Sequence, residues 1–386
     1  MTNKHLNQND GNQETRTKIP YFFQFNSFRF FAAILVLVGH AESIREGSGA
    51  FNLHQIDFFK NGQHAVTFFF VLSGFLITYL LLKEKNSSQN VNVKSFYWKR
   101  IVRIWPLYFL LVFIGIAVQP FIIHYLNLTY KMPYSLEETG VLFITFLPGF
   151  VTYYFGNHLL EPLWSIGVEE WFYLIWGPFM KYVSKNLWMW ILLLLLAKLL
   201  LNFLSSYQFF PPVVTYLIRM MRFEAMFIGG LMACTFFTSG KNQTQLSNFR
   251  LITFLISSIW LLIIVFNGTF FNGVLMRLGI IDKSLNAFIC ALFFALFVWS
   301  IAWKNKRNII LESKLFVFLG EISFGIYMYH LLVVTLVWSL LKQLQINPVF
   351  TTILYHFFGI TLTIGIATLS KKYIENPVLK FKNRFS

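Results

Sequence analysis

Residues 187–205 read LWMWILLLLLAKLLLNFLS, nineteen residues in which Lys198 is the one charge. A helix rises 1.5 Å per residue, so about 20 apolar residues cover the ~30 Å hydrocarbon core of a bilayer. Similar stretches recur along the chain at 24–42, 64–83, 103–124, 164–183, 212–236, 249–267, 285–303, 315–341 and 349–371. The fold class that follows is all-α: a polytopic membrane protein with about ten transmembrane helices in a single membrane domain. Composition agrees, with 56% hydrophobic and only 12% charged residues, against roughly a quarter charged in soluble domains. No window of alternating hydrophobicity competes, which argues against a β-barrel. Residues 140–155 are apolar but short and interrupted by Pro148 and Gly149, and are expected to be re-entrant or interfacial.

A formal charge of +16 would point to nucleic acid in a soluble protein, yet here the basic residues fall mainly in short loops between apolar spans. Short cytoplasmic loops are enriched in Lys and Arg. With the N-terminus inside, ten spans put 22 of these cations in cytoplasmic segments, among them Lys85, Lys99, Arg100 and Arg103. Six fall outside: Arg45, Lys60, Lys131, Arg277, Lys283 and Lys342. An eleventh span at 140–155 would reverse that bias. The expected location is the cell (inner or cytoplasmic) membrane with both termini cytoplasmic, and no nucleic-acid partner. The expected organisation is a polar tail at 1–20, a membrane domain at 21–375 and a basic tail at 376–386. The polar first 20 residues lack the apolar centre of a signal peptide, so the first span is expected to act as an uncleaved signal. Cys234 and Cys290 both lie in apolar stretches and imply no disulfide framework. No His/Cys/Asp cluster has ligand spacing, so no metal is expected.

Four cations lie inside spans: Arg29, Lys198, Arg219 and Arg222. Each is costly in hydrocarbon and by default faces a cavity or a partner. Arg29 and His40 share the first helix, where a separation of eleven residues returns to within about 20° of one face, about 16 Å apart along the axis. The plainer reading is a snorkelling Arg29 and a His40 that satisfies one hydrogen bond. Arg219, Arg222 and Glu224 cluster as a neutralised pair or a site. Lys198 has no acidic neighbour in sequence and reads as packing or snorkelling.

The segment from Phe96 to Pro106 carries Lys99, Arg100 and Arg103 among aromatic residues and is expected at the inner interface. Those cations satisfy the topology rule on their own, but arginine is also a fork-like phosphate binder. In the segment from Pro162 to Tyr173, Glu169 and Glu170 stand at the edge of an apolar span, with Ser165 a candidate N-cap. Complementing the helix dipole and doing acid–base chemistry are equally good accounts of that carboxylate pair. His330, in mid-span, is a second imidazole candidate, against the commoner outcome of a satisfied structural histidine.

Taken together, these blocks resemble the membrane acyltransferase family 3, which O-acylates polysaccharides, lipopolysaccharide and related glycans. Arg29 and His40 are similar to its Arg-ten-His signature, and Phe68 to Phe75 (FFFVLSGF) to its second-helix block. Arg100, Arg103 and Pro106 resemble its basic block, and Trp164, Ser165, Glu169 and Glu170 its Trp-Ser-x-x-x-Glu-Glu block. Tyr327 and His330 fit a late Tyr-x-x-His element, and Tyr373, Glu375 and Pro377 a Tyr-x-Glu-x-Pro ending. Two features depart from the pattern. Phe30 stands where many members have Gly, and the stretch from His64 to Thr67 lacks the acidic residue often found there.

The resemblance implies an O-acyltransferase, most simply an O-acetyltransferase, that takes its acyl group from acyl-CoA. The acceptor would be a carbohydrate or glycolipid hydroxyl, and the lipid bilayer the remaining partner. Acyl-CoA would be a donor substrate, with no tightly bound cofactor. His40 is then expected as general base and Arg29 as a donor anchor. Glu169 or Glu170 would orient His40 or bind the sugar. Arg100 and Arg103 would bind the donor, and Trp164, Ser165 and His330 would line the substrate site. A transporter or flippase of an acylated glycan is the leading alternative, disfavoured by the lack of recognisable inverted repeats. A sensor or scaffold is the third, and would need none of these charges for catalysis.

Overall fold

The computed structural model describes residues 22–118, 120–121, 125, 133–183, 185–239, 247–277, 283–303, 308–344 and 346–383. A backbone in hydrocarbon must satisfy its own hydrogen bonds, and a helix does so locally. Accordingly the described residues are helices and their connections, without strands. Helix α1 is Phe25–Gly47, α2 is Gly62–Ser88, and α3 is Val93–Phe113, prolonged to Val118 by a wider π-type turn. Then come α4 (Leu136–Ile144), α5 (Gly149–Phe155), α6 (Leu163–Tyr182) and α7 (Leu187–Ser206). The chain continues through α8 (Pro212–Met220), α9 (Phe223–Ser239), α10 (Ser247–Phe266), α11 (Gly268–Arg277) and α12 (Lys283–Ala302). It closes with α13 (Lys314–Glu321), α14 (Ser323–Leu341), α15 (Pro348–Ser370) and a short α16 (Asn376–Leu379).

Among the described residues, nine helical runs are long and apolar enough to cross a bilayer. The remaining expected span is α6, whose 20 residues match α7 in length. It differs in carrying Glu169, Glu170 and Lys181, and it packs against both α2 and α3. Part of the expected 103–124 span lies outside the described residues. The third helix starts at Val93, ten residues before the apolar run, because amphipathic sequence with Asn92 as N-cap extends it. The expected 212–236 span is broken between Met220 and Phe223, and the expected 315–341 span between Glu321 and Ser323. Segment 140–155 forms α4 and α5, of nine and seven residues, each too short to cross.

Two clusters mark the two ends of the bundle. At one, Lys85 donates to the carbonyls of Met180 (2.8 Å) and Val183 (2.6 Å), capping the C-terminal end of α6, and Trp98 Nε1 donates to Phe381 O at 2.8 Å. Lys85, expected in a loop, is thus part of α2. At the other end Arg45, expected as a loop cation, is buried in the last turn of α1. It bonds Glu42 at 2.9 Å and Thr352 at 2.6 Å, and Glu42 also meets His356 Nε2 at 2.6 Å. A Coulomb partner on its own helix keeps this cation inside where a lone one would leave.

The tightest crossing joins α2 to α9. A Cβ at Gly74 would fall on the carbonyl of Met226, and one at Gly229 on the carbonyl of Val71. Hydrocarbon gives no hydrophobic drive between helices, so small residues at the crossing let dispersion and backbone contact hold the pair. The crossing fixes α2, and with it Ser73, against the rest of the bundle.

Candidate active site

A cavity of about 390 Å³ lies toward the Lys85 end, between α1, α2, α3, α6, α13 and the start of α14. Arg29, Arg100, Arg103 and Lys371 line it together with Glu169 and Glu321. Arg100 and Arg103 are three residues apart on α3 and therefore share a face. They stand seven and ten residues into the helix, which begins at Val93. Lys371 is paired with Glu375 at 3.3 Å, so the chamber's positive character comes from three arginines against Glu169 and Glu321.

Glu169 accepts a hydrogen bond from Tyr173 Oη at 2.6 Å, one turn along α6, and that hydroxyl also meets Ser73 Oγ at 2.7 Å. The Arg100 guanidinium lies 5.7 Å from the centre of the Tyr173 ring. Glu170 is rotated by about 100° from Glu169 and faces a second cavity of about 280 Å³, where it accepts from Trp105 Nε1 at 3.0 Å. Arg100 and Tyr173 border both spaces. Glu170 Oε1 and Arg100 Nε are buried with no hydrogen-bond partner, the kind of group that a polar ligand or an ordered water satisfies.

Toward the Arg45 end the first cavity is bounded by Tyr327 and Ser165, whose hydroxyls meet at 2.7 Å. Tyr327 Oη also donates to Pro162 O at 3.1 Å. Ser165 is therefore not the N-cap it was expected to be, since α6 starts earlier and Pro162 takes that place. Trp164 packs its ring against Phe70, 5.9 Å between centres, and does not line either cavity.

One turn beyond Tyr327, the fully buried His330 places Nε2 3.1 Å from Nδ1 of His40. His40 Nδ1 also faces Val36 O at 3.1 Å, and His330 Nδ1 faces Tyr327 O at 2.6 Å. The expectation that Glu169 or Glu170 orients His40 is corrected by this geometry. Both carboxylates are engaged by Tyr173 and Trp105 on α6 and α3, while the partner of His40 comes from α14. Arg29 lines the cavity and His40 is not among its lining residues, so one end of the Arg-ten-His spacing borders this cavity and the other meets His330.

The other intramembrane cations resolve into structural contacts. Lys198, which has no acidic neighbour in sequence, pairs with Glu224 of α9 at 3.3 Å and donates to Ile218 O. Arg219 turns away, donating to Ser205 O at 3.2 Å, while Arg222 donates to Thr67 Oγ1 at 2.7 Å and keeps Glu224 as an electrostatic partner. Residues to which the sequence reading gives no site role are Tyr173, Ser73, Glu321 and Lys371. The spacing of Glu169 and Tyr173 by four on a helix was the available signal for the first.

The sequence profile described as an acyltransferase domain matches residues 22–371. The chain belongs to this acyltransferase family. Among curated relatives, the protein named "Putative peptidoglycan O-acetyltransferase YrhL" from Bacillus subtilis is 25% identical over 83% of this chain and 51% of its own length. The O-acetyltransferase OatA of Staphylococcus aureus is 24% identical over 93% of this chain and 57% of its own. The chain thus spans about half the length of the curated relatives it matches. No solved structure matches.

Proposed function

We propose that this chain is a membrane O-acetyltransferase that moves an acetyl group from cytoplasmic acetyl-CoA to a hydroxyl of an exported or cell-surface carbohydrate. The observation that carries this reading is the separation of two chemistries along one bundle. A chamber lined by four cations lies toward the Lys85 end, and an imidazole pair stands beyond Tyr327. The forks of Arg29, Arg100 and Arg103 suit phosphate oxygens. Arg29 and His40 are about 16 Å apart along α1, a gap that the extended arm of a thioester donor crosses. The names of the relatives supply the acetyl group and, for one of them, peptidoglycan as the class of acceptor. No feature favours the transporter reading over this one.

In the reaction, the acceptor O–H gives its proton to His40 as its oxygen forms the new C–O bond at the thioester carbonyl. The C–S bond breaks and the CoA thiolate leaves, taking up a proton to become the thiol. Purified protein in lipid nanodiscs, given labelled acetyl-CoA and peptidoglycan fragments, is expected to transfer label to the acceptor. Well-folded protein that neither transfers label nor releases CoA would overturn the reading.

The orientation has its own test. In a background lacking Cys234 and Cys290, a cysteine at exposed Lys94 should be shielded from an impermeant thiol reagent in intact cells. One at exposed Ser48 should react. The reverse pattern would place the cationic chamber on the outer side.

The donor assignment is tested at α3. Replacing Arg100 and Arg103 together by Gln removes charge-assisted hydrogen bonds that contribute about 1.5–3 kcal/mol each. Affinity for acyl-CoA should fall by about 100-fold or more, with acceptor affinity less affected. Lys at both positions should restore only part of it, because the bidentate fork is lost. Unchanged donor affinity in the Gln pair would leave these arginines a structural role alone.

A further inference from the structure

A backbone carbonyl only accepts, and this fixes the protons of the imidazole pair. His330 Nδ1 lies 2.6 Å from Tyr327 O, so Nδ1 carries a hydrogen. In the neutral ring Nε2 is then an acceptor, and it faces His40 Nδ1 at 3.1 Å. His40 Nδ1 also lies 3.1 Å from Val36 O, so by the same rule it carries the hydrogen and shares it between the two. Both tautomers are assigned from this network. The only position left for the lone pair of a neutral His40 is Nε2.

We propose that His330 is a positioning residue for acyl transfer: it holds His40 in the Nδ1–H tautomer and stabilises the imidazolium that His40 becomes. This rests on His40 being the base. When His40 Nε2 takes the acceptor proton, its Nδ1–H becomes a stronger donor, and the buried Nε2 of His330 faces it. The hydrogen bond therefore tightens as charge develops, which is where an interaction accelerates the chemical step. A neutral imidazole fills the place that a carboxylate takes in many base–orienter pairs. Its own orientation is fixed by Tyr327, whose carbonyl accepts from His330 and whose hydroxyl is pinned to Ser165 and Pro162. Tyr327 therefore couples the wall of the cationic chamber to the imidazole pair. The assignment replaces the substrate-binding role that the sequence gave to His330.

Two measurements separate this proposal from the base assignment. In wild-type protein with ¹⁵N-labelled histidine, the side-chain resonances of His40 should show Nδ1 protonated and Nε2 bare. In His330→Ala the same resonances should show a tautomer mixture. Turnover at saturating donor should fall by about 10- to 100-fold in His330→Ala, less than the full effect of losing a base, because Val36 O still holds His40. The KM for acyl-CoA should stay near wild type. His330→Gln, whose side-chain oxygen can accept from His40 Nδ1, should recover part of both. A protonated Nε2 in wild type, or spectra unchanged by His330→Ala, overturns the positioning role whatever the activity shows. His330→Gln behaving as His330→Ala also overturns it. Failure of the base assignment shows separately, as a His40→Ala protein that still transfers.

Discussion

Replacing His40 by alanine should lower acyl transfer by about 100- to 10,000-fold, the range that a positioned general base contributes, while acyl-CoA binding stays close to wild type. The cationic chamber that would hold the donor lies toward the Lys85 end and does not include His40 among its walls. The imidazole is needed where the acceptor proton moves, so its loss should fall on turnover and not on donor affinity. Arg29→Ala is the complementary variant. It removes a cation from the chamber and should weaken donor binding, with a smaller effect on turnover at saturating donor. Folding must be followed beside kinetics, since His40→Ala leaves His330 Nε2 buried without its partner, at a cost of about 1–3 kcal/mol. Monodisperse elution and a thermal midpoint near wild type would show that the loss is chemical. A folded His40→Ala protein that acetylates at close to the wild-type rate would sink the assignment.

How far the site was legible in sequence depends on whether its geometry is local. Arg29 and His40 lie on one helix, so the 3.6-residue period places them without any tertiary information. The expected fold class emerged for the same reason, since span length and loop charge are local quantities. What periodicity could not supply was the pairing between helices. His330 is 290 residues from His40 and Glu224 is 26 from Lys198, and neither contact has a signature in the chain. Nor does a basic aromatic segment show by itself that Arg100 and Arg103 line a chamber, since that depends on the helices packed around α3. Arg45 is buried in the last turn of α1, and not exposed in a loop, for a tertiary reason. Its partners Glu42 and Thr352 neutralise it inside the bundle, and one of them comes from α15.

The last expected result concerns the α2–α9 crossing, whose requirement sequence alone did not reveal at Gly229. Gly229→Val should greatly reduce the yield of monodisperse protein and lower the thermal midpoint of what remains. A Cβ there would overlap the carbonyl of Val71 and crowd the amide of Phe75, both backbone atoms that no rotamer change can move aside. Overpacking costs about 1–3 kcal/mol where side chains can yield, and a backbone obstacle belongs at or above the upper end. The damage should also reach the site. α2 carries Ser73, which bonds Tyr173 at 2.7 Å, and Phe69, whose ring stands 5.9 Å from Tyr327. Parting α2 from α9 therefore shifts one wall of the cationic chamber relative to α6 and α14. Gly365→Ala provides the control, because a Cβ at that exposed position on α15 meets nothing within 4 Å. There the lost backbone freedom of glycine should leave stability unchanged or raise it by up to about 1 kcal/mol. A Gly229→Val protein with wild-type yield and melting behaviour would show that the two helices have room to separate, and the close crossing would lose its role in fixing the chamber.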